Sequence, residues 1–513
     1  MPRKLPLGLQ DFRKIIENGF VYVDKTQYVF HIASHQGAYF LSRPRRFGKS
    51  ITISTLLELF SGSRELFKGL WIEGKWDWNR VRPVIKLSLK DVNFEQRGLE
   101  EPLAERIAEI GTRNGIDLKA TTARDKFREL ILALSERGKV VVLVDEYDAP
   151  IVHYLGKELS TAYANRELLK GFYSVLKELD TLLELVFLTG VSKFSKTGIF
   201  SGLNNLVDLT THPDYATMLG YTQAELEDNF PEEIAAACTA RGLSRDQLLE
   251  QMRDWYNGYR FHQSAETVYN PVSVNNFFDR KEFDNFWFAT GTPTFLIQIL
   301  KQQGVFDLQA IGQSTLDFDS FDLEDIRLFG LLYQTGYLTI QSRDEFGQYT
   351  LDYPNREVKN SMLAYLFEAF GGVSKGTGVT MAIKLERAFI ADDLEQVFRI
   401  LQEIFAHVPY FLHEKYPEKF FHAAIHLLFT YMGIKVHSEV CTSDGRADSM
   451  VETPTHLYIL EYKLDKSPQE ALAQIRNKRY YRHAWEKGKP VTGIGVQFSS
   501  KTKNIEAWEA EEV

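Results

Sequence analysis

The chain has 513 residues, 44% of them hydrophobic and 25% charged, the balance of an ordinary globular protein with more than one domain. Its formal net charge of −9 excludes a nucleic-acid footprint spread over the whole chain and leaves phosphate contact to local basic clusters, Arg43–Lys49 and Arg476–Arg482. The two cysteines, Cys238 and Cys441, exclude a disulfide framework and a cysteine-based zinc site, which fits a reducing compartment. The first residues lack the apolar core of a signal peptide, and no run of about eighteen uncharged apolar residues occurs, so a cytoplasmic protein without membrane spans is expected.

In chain order, the first informative stretch is Phe20-Val-Tyr-Val-Asp-Lys-Thr26. Asp24 and Lys25 there either line a ligand site or simply cap and pair. A short apolar strand, Ala38–Leu41, then runs into Arg43-Pro-Arg-Arg-Phe-Gly-Lys-Ser50 and a helical pattern to Phe60. Strand, loop and helix in that order are the setting of a phosphate-binding P-loop. Backbone N–H groups of Arg46, Phe47, Gly48, Lys49 and Ser50 are placed to cradle phosphates. Lys49 would reach the β- and γ-phosphates, and the Ser50 hydroxyl would face Mg²⁺. The match departs from G-x-x-x-x-G-K-[ST] at its first glycine, where Arg43 stands. Glycine suits a tight bend there, so the departure also permits a P-loop domain that is purely structural.

After Lys139, Val140–Val144 is an unbroken apolar run of the kind that forms a fully buried parallel strand, and it ends in Asp145 and Glu146. In this position Asp145 would hold Mg²⁺ through water, and Glu146 would polarise the attacking water. A third apolar strand, Leu183–Leu188, leads into Thr189 and Ser192. One of these two is placed like the sensor residue of AAA-type ATPases. Arg260 is a further sensor candidate, although a structural role suits it better.

From Gly220 to about Phe288 the pattern is helical, opening on the capping box Thr222–Glu225. Leu331–Ile340 reads as a turn and a strand in a connector with winged-helix character. Gly371–Thr380 reads as a flexible loop from its Gly, Ser and Thr content. A helix over 418–432 would carry His422 and His426 four apart, but Ala423 replaces the glutamate of a zinc motif and no third ligand is spaced to help.

The strongest motif lies near the C-terminus. Gly445-Arg-Ala-Asp448 is followed by Tyr458-Ile-Leu-Glu-Tyr-Lys463. On a strand, residues i and i+2 share a face, so Glu461 and Lys463 emerge together. Asp448 and Glu461 are hard oxygen ligands suited to Mg²⁺, and Lys463 can orient or deprotonate a water for attack on a phosphodiester. Glu439, on the preceding strand, and the backbone carbonyl of Tyr462 are further candidate ligands. Gln474 and Lys478 lie one turn apart on the next helix, read over Pro468–Tyr481.

These residues resemble a PD-(D/E)XK nuclease core, and "RPRRFGKS" resembles the P-loop of a bacterial AAA-ATPase-like family commonly fused to such a core. In that family the missing first glycine is the rule, and Gln474 corresponds to a residue near the scissile phosphate. The expected fold is α/β: a P-loop domain over 1–219, a helical lid over 220–292, a connector over 293–385 and a nuclease-like domain over 386–513. The resemblance implies a hydrolase: an ATP-binding, ATP-regulated, Mg²⁺- or Mn²⁺-dependent nuclease acting on nucleic acid, with DNA as the expected partner. AAA-like domains often self-associate, so a homo-oligomer is a further expectation. The alternative is a nucleotide-sensing switch or assembly protein whose nuclease core only docks nucleic acid.

Overall fold

The computed structural model describes residues 4–194, 199, 205–288, 294–305, 307–314, 327–371, 374–406, 425–430, 435–442, 445–478 and 489–513. The chain divides into two compact units, one of residues 1–296 and 308–358, the other of residues 297–307 and 359–513.

The first unit is built on β1 (Gly37–Ser42), β2 (Val84–Ser88), β3 (Val140–Asp145), β4 (Leu183–Gly190) and β5 (Leu206–Asp208). All run parallel, in the order β2-β3-β4-β1-β5. β3 and β4 are buried throughout, as their apolar runs require. Parallel neighbours need crossovers, supplied by helices that include Lys49–Phe60, Glu100–Arg113, Ala123–Ser135 and Leu159–Glu178. Thr122 starts the third of these by accepting from the Asp125 N–H, and Phe127 then stacks on Phe172 of the fourth at 4.5 Å. Because β4 lies between β1 and β3, the carboxyl ends of all three strands meet, where open α/β sheets bind ligands.

A helical lid follows: Gln223–Asn229, Pro231–Arg241, Arg245–Tyr256 and Pro271–Arg280. Thr222 and Glu225 form the expected capping box, and Ser244 with Gln247 forms another. Phe230, Tyr256, Phe277 and Phe278 fill the lid's core. Then come β6 (Ile311–Gln313), the helix Leu328–Thr335, β7 (Thr339–Arg343) and β8 (Tyr349–Asp352), with an antiparallel sheet in the order β6-β8-β7.

Glu357 is fully buried in this unit, where its carboxylate accepts from Ser273 Oγ at 2.7 Å and from the Trp287 N–H at 2.5 Å. Burial pushes its pKa up from 4.5 to about 8. A carboxyl that holds its proton more tightly when folded stabilises fully below its unfolded value, and that contribution is lost as pH rises through the folded one. The Glu357 contribution is therefore lost between pH 4.5 and about 8. Glu357→Gln, which keeps the shape without the charge, is expected to flatten this fall in urea-unfolding stability. A pH profile identical to the parent's contradicts it.

The second unit carries β9 (Lys435–Thr442), β10 (Gly445–Glu452), β11 (Leu457–Leu464), β12 (Val491–Ser499) and β13 (Asn504–Glu512), in the order β13-β12-β11-β10-β9. β11 and β12 are parallel, and the helix Pro468–Lys478 makes their crossover; the other described pairs are antiparallel. Leu472 and Ile475 of that helix pack on Leu457, Ile459 and Val491. Strand alternation then points Glu461 and Lys463 to the same covered face as Ile459. The opposite face takes the helix Leu394–Ala406, whose Phe398 stacks on Trp508 at 4.5 Å.

The stretch Gly371–Thr380 is not the loop its composition suggests. Gly371 ends one helix, and Ser374 caps another, Lys375–Ile390. Gly378 is there for close packing, since a Cβ would meet the Phe367 ring at 2.6 Å. Among the described residues no helix is long and apolar enough to cross a membrane.

Candidate nucleotide and nuclease sites

The P-loop turns on two residues in left-handed conformation, Arg46 at φ 69° and Gly48 at φ 109°. Gly48 caps the helix Lys49–Phe60 in a conformation that favours glycine. Arg43 is not among the left-handed residues, so the missing first glycine costs the loop no backbone conformation. The Arg43 side chain turns into the interior, 1% exposed. It donates to the carbonyls of Ser42 (2.9 Å), Thr210 (2.6 Å) and Tyr215 (3.1 Å) and lies 4.1 Å from the centre of the Phe261 ring. Burial pushes its pKa down to about 10. Arg43→Gly, which restores the usual P-loop residue, is therefore expected to destabilise the protein by about 3 kcal/mol, from unpaired carbonyls and lost stacking. Chemical unfolding checks this, and a neutral or stabilised variant contradicts it.

Lys49 is buried, and its Nζ donates to two carbonyls of its own loop, Arg43 at 2.8 Å and Pro44 at 2.9 Å. Burial pushes its pKa down to about 8, against the pull of Asp145, Glu146 and Asp148. Ser50 stands beside it, half-buried. Phe47 offers the loop its backbone, while its ring is anchored 4.7 Å from Tyr259 and 5.6 Å from Phe261. Trp287 Nε1 donates to the Arg45 carbonyl at 2.9 Å, which ties the lid side to the loop.

At the end of β3, Asp145 is 6% exposed and accepts from Thr189 Oγ1 at 2.7 Å. The other sensor candidate, Ser192, is committed elsewhere: its hydroxyl and its N–H both serve Asp148. Thr189 is thus the polar residue in contact with Asp145. Glu146 follows at φ 51°, a conformation glutamate rarely adopts. Burial pushes its pKa up, opposed first by Lys90, whose Nζ lies 3.7 Å from Glu146 Oε1. No motif marks Lys90 in the sequence. It arrives because β2 pairs with β3, with Ser88 opposite Asp145.

Lys49, Ser50, Lys90 and Glu146 open on a cavity of about 180 Å³. Arg46–Ser50, Lys90 and Glu146 line it together with apolar residues such as Leu9, Val21, Val23, Met218 and Leu219. Lys25 also lines it, with its Nζ held by the Thr217 carbonyl at 2.8 Å and Glu225 Oε2 at 2.7 Å. Asp24 instead caps, accepting from the N–H groups of Thr26 and Trp71. Arg260 braces β7 through Thr339 and Gln341 and is not a cavity residue.

In the second unit, Asp448 and Glu461 come from neighbouring antiparallel strands. The pairs Ser449–Leu460 and Ala447–Val440 with Ser449–Ser438 put Glu439, Asp448 and Glu461 in one row across β9, β10 and β11. For Glu439 this is a statement of register only. Asp448 Oδ2 accepts from the Tyr462 N–H at 2.8 Å. Glu461 is 1% exposed; its Oε1 accepts from Lys463 Nζ at 2.9 Å, and its Oε2 has no partner. Burial first and Asp448 second push the Glu461 pKa up to about 7. Gln474 lies half-buried on the helix that covers this face, and Lys478 is exposed at its end.

Among the described residues no group of three His, Cys, Asp or Glu side chains is arranged to hold a metal ion. Two neighbouring carboxylates, one of them paired with Lys463 and carrying an orphaned buried oxygen, nonetheless suit a divalent cation completed by non-protein ligands. His426 is buried far from such use, 3.5 Å from both Asp307 and Thr430; His422 lies outside the described residues.

Residues 6–200 match a family model described as "Predicted AAA-ATPase", and residues 416–508 match the PD-(D/E)XK nuclease superfamily. A relative from Azotobacter chroococcum mcd 1, "Uncharacterized protein in vnfD 5'region", is 36% identical over 523 aligned positions, covering 98% of each chain. Two solved structures align over 80% of this chain. One is a "DNA replication initiation factor" (13% identity, TM-score 0.27, 92% of that chain). The other is a signal-transduction ATPase with a tetratricopeptide repeat sensor from Pyrococcus horikoshii (11% identity, TM-score 0.25, 56% of that chain). Likeness at that level carries no argument about function. The near full-length relative and the two family matches show the family: the chain belongs to the AAA-ATPase-like proteins that carry a C-terminal PD-(D/E)XK nuclease superfamily domain.

Proposed function

We propose that the chain is a metal-dependent nuclease whose cutting is regulated by ATP, with its domains divided at about residues 219, 292 and 385 as the sequence suggests. The observation that carries the nuclease reading is the buried, unpartnered Glu461 Oε2 beside Asp448 and the Lys463 ammonium. Asp448 and Glu461, with Glu439 and the Tyr462 carbonyl, are the ligands for Mg²⁺ or Mn²⁺. When bound, such a cation supplies positive charge against the phosphate and makes water a better nucleophile. Lys463, positioned by Glu461, orients that water, and Gln474 helps hold the scissile phosphate.

The nucleic-acid surface is local. Lys466, Lys501 and Lys503 stand in the loops after β11 and β12, at the end of the sheet where Lys463 emerges. Asp465 lies among them, its pKa lowered first by hydrogen bonding from Ser500 and to a lesser extent by Lys501 and Lys503. A positive rim at this end offsets the net charge of −9 where a phosphate backbone would lie. DNA is the partner we favour.

In the P-loop domain, Lys49, Ser50 and the N–H groups of Arg46–Ser50 bind ATP phosphates. Asp145, steadied by Thr189, serves the nucleotide's Mg²⁺, and Glu146 polarises water for hydrolysis. A second copy of the chain is the natural source of a finger arginine, and the reducing, cytoplasmic setting follows from the two cysteines. Incubating plasmid, linear duplex, single-stranded DNA and RNA with Mg²⁺ or Mn²⁺ tests the reading: cutting of at least one substrate is expected. No cutting of any, with ATP still bound, favours instead a nucleotide-sensing switch.

A further inference from the structure

Among the residues lining the nucleotide cavity is a buried amide with an unpaired acceptor. Asn275, on the lid helix Pro271–Arg280, lines the cavity and is 4% exposed. Its Nδ2 donates to Tyr221 Oη at 3.4 Å, and its Oδ1 accepts no hydrogen bond. A buried amide oxygen without a partner is costly and calls for an explanation. Met218, Leu219 and Val272 line the same cavity and offer apolar walls to a flat ring, while Lys49 marks the phosphate end.

We propose that Asn275 reads the six-position of a bound purine, accepting a hydrogen bond from the exocyclic amine of adenine and so selecting ATP over GTP. This rests on the reading of the cavity as a nucleotide site. Adenine presents a donor at that position and guanine an acceptor. Asn275 Oδ1 pairs with the first and opposes the second. Tyr221 is the positioning residue. By taking Nδ2 it leaves the amide oxygen, rather than the nitrogen, for the base.

Isothermal titration of the full chain with ATP, GTP and ITP tests this. The parent is expected to bind ATP at least about tenfold more tightly than GTP or ITP, both of which carry an acceptor at the six-position. Asn275→Ala should lose about tenfold in ATP affinity and bring the ATP/GTP ratio near one. Asn275→Asp, which keeps the acceptor, should keep the preference, and Tyr221→Phe should relax it by freeing the amide to turn. The parent's ATP/ITP ratio needs no substitution, so a misfolded variant leaves the test standing. Equal affinities for ATP and ITP, or an unchanged ATP/GTP ratio in folded Asn275→Ala, overturn the proposal alone. A parent that binds no nucleotide, or Lys49→Ala binding as the parent does, overturns the nucleotide site itself and this inference with it.

Discussion

Asp448→Asn is expected to lower metal-dependent cleavage by about a thousandfold or more while leaving the fold intact. Asparagine is chosen over alanine because Asp448 does two things. Its Oδ2 accepts from the Tyr462 N–H and so helps hold β10 to β11. Its charge adds to burial, the larger cause, in raising the Glu461 pKa. The amide oxygen of asparagine keeps the first role and loses the second. A loss of cutting with unfolding unchanged then reports on the charge, not on strand pairing. Asp448→Ala should lose cutting too, with some loss of stability from the orphaned N–H. Cleavage at the parent's rate by Asp448→Asn would remove Asp448 from the reaction.

Lys49→Ala carries the second large effect, a loss of about a hundredfold or more in ATP affinity. Lys49 has little contact with water, and both its hydrogen bonds go to neutral carbonyls of its own loop. Exchanging those carbonyls for phosphate oxygens replaces neutral acceptors with charged ones, which pair roughly twice as strongly with an ammonium. Without the lysine, the Arg43 and Pro44 carbonyls lose a buried partner, so a modest fall in stability should accompany the loss of binding. Calorimetric titration with ATP measures it. Undiminished binding would make the P-loop domain a structural one.

What the sequence shows of this molecule is what short strings can encode. The apolar run ending in Asp145, the Gly48-Lys49-Ser50 turn and the alternation that pairs Glu461 with Lys463 each carry their geometry within a few residues. Arg43 marks the limit. Read by motif it is a lost glycine, but in the fold it is a buried cross-link, because its partners Thr210, Tyr215 and Phe261 lie far along the chain. Gly371–Thr380 misleads for a related reason, since small residues suit close helix packing as well as loops. Lys90, Trp287 and Asn275 left no local trace. Each reaches the nucleotide cavity or its loop only through strand order or lid packing.

The most direct test of an ATP-regulated nuclease is the rate at which the parent cuts a labelled nucleic acid in Mg²⁺ with and without ATP. The account predicts that ATP changes this rate and that the change vanishes in Lys49→Ala. Cutting that proceeds at one rate whatever the nucleotide would contradict it, leaving a nuclease whose P-loop domain plays no part in its control.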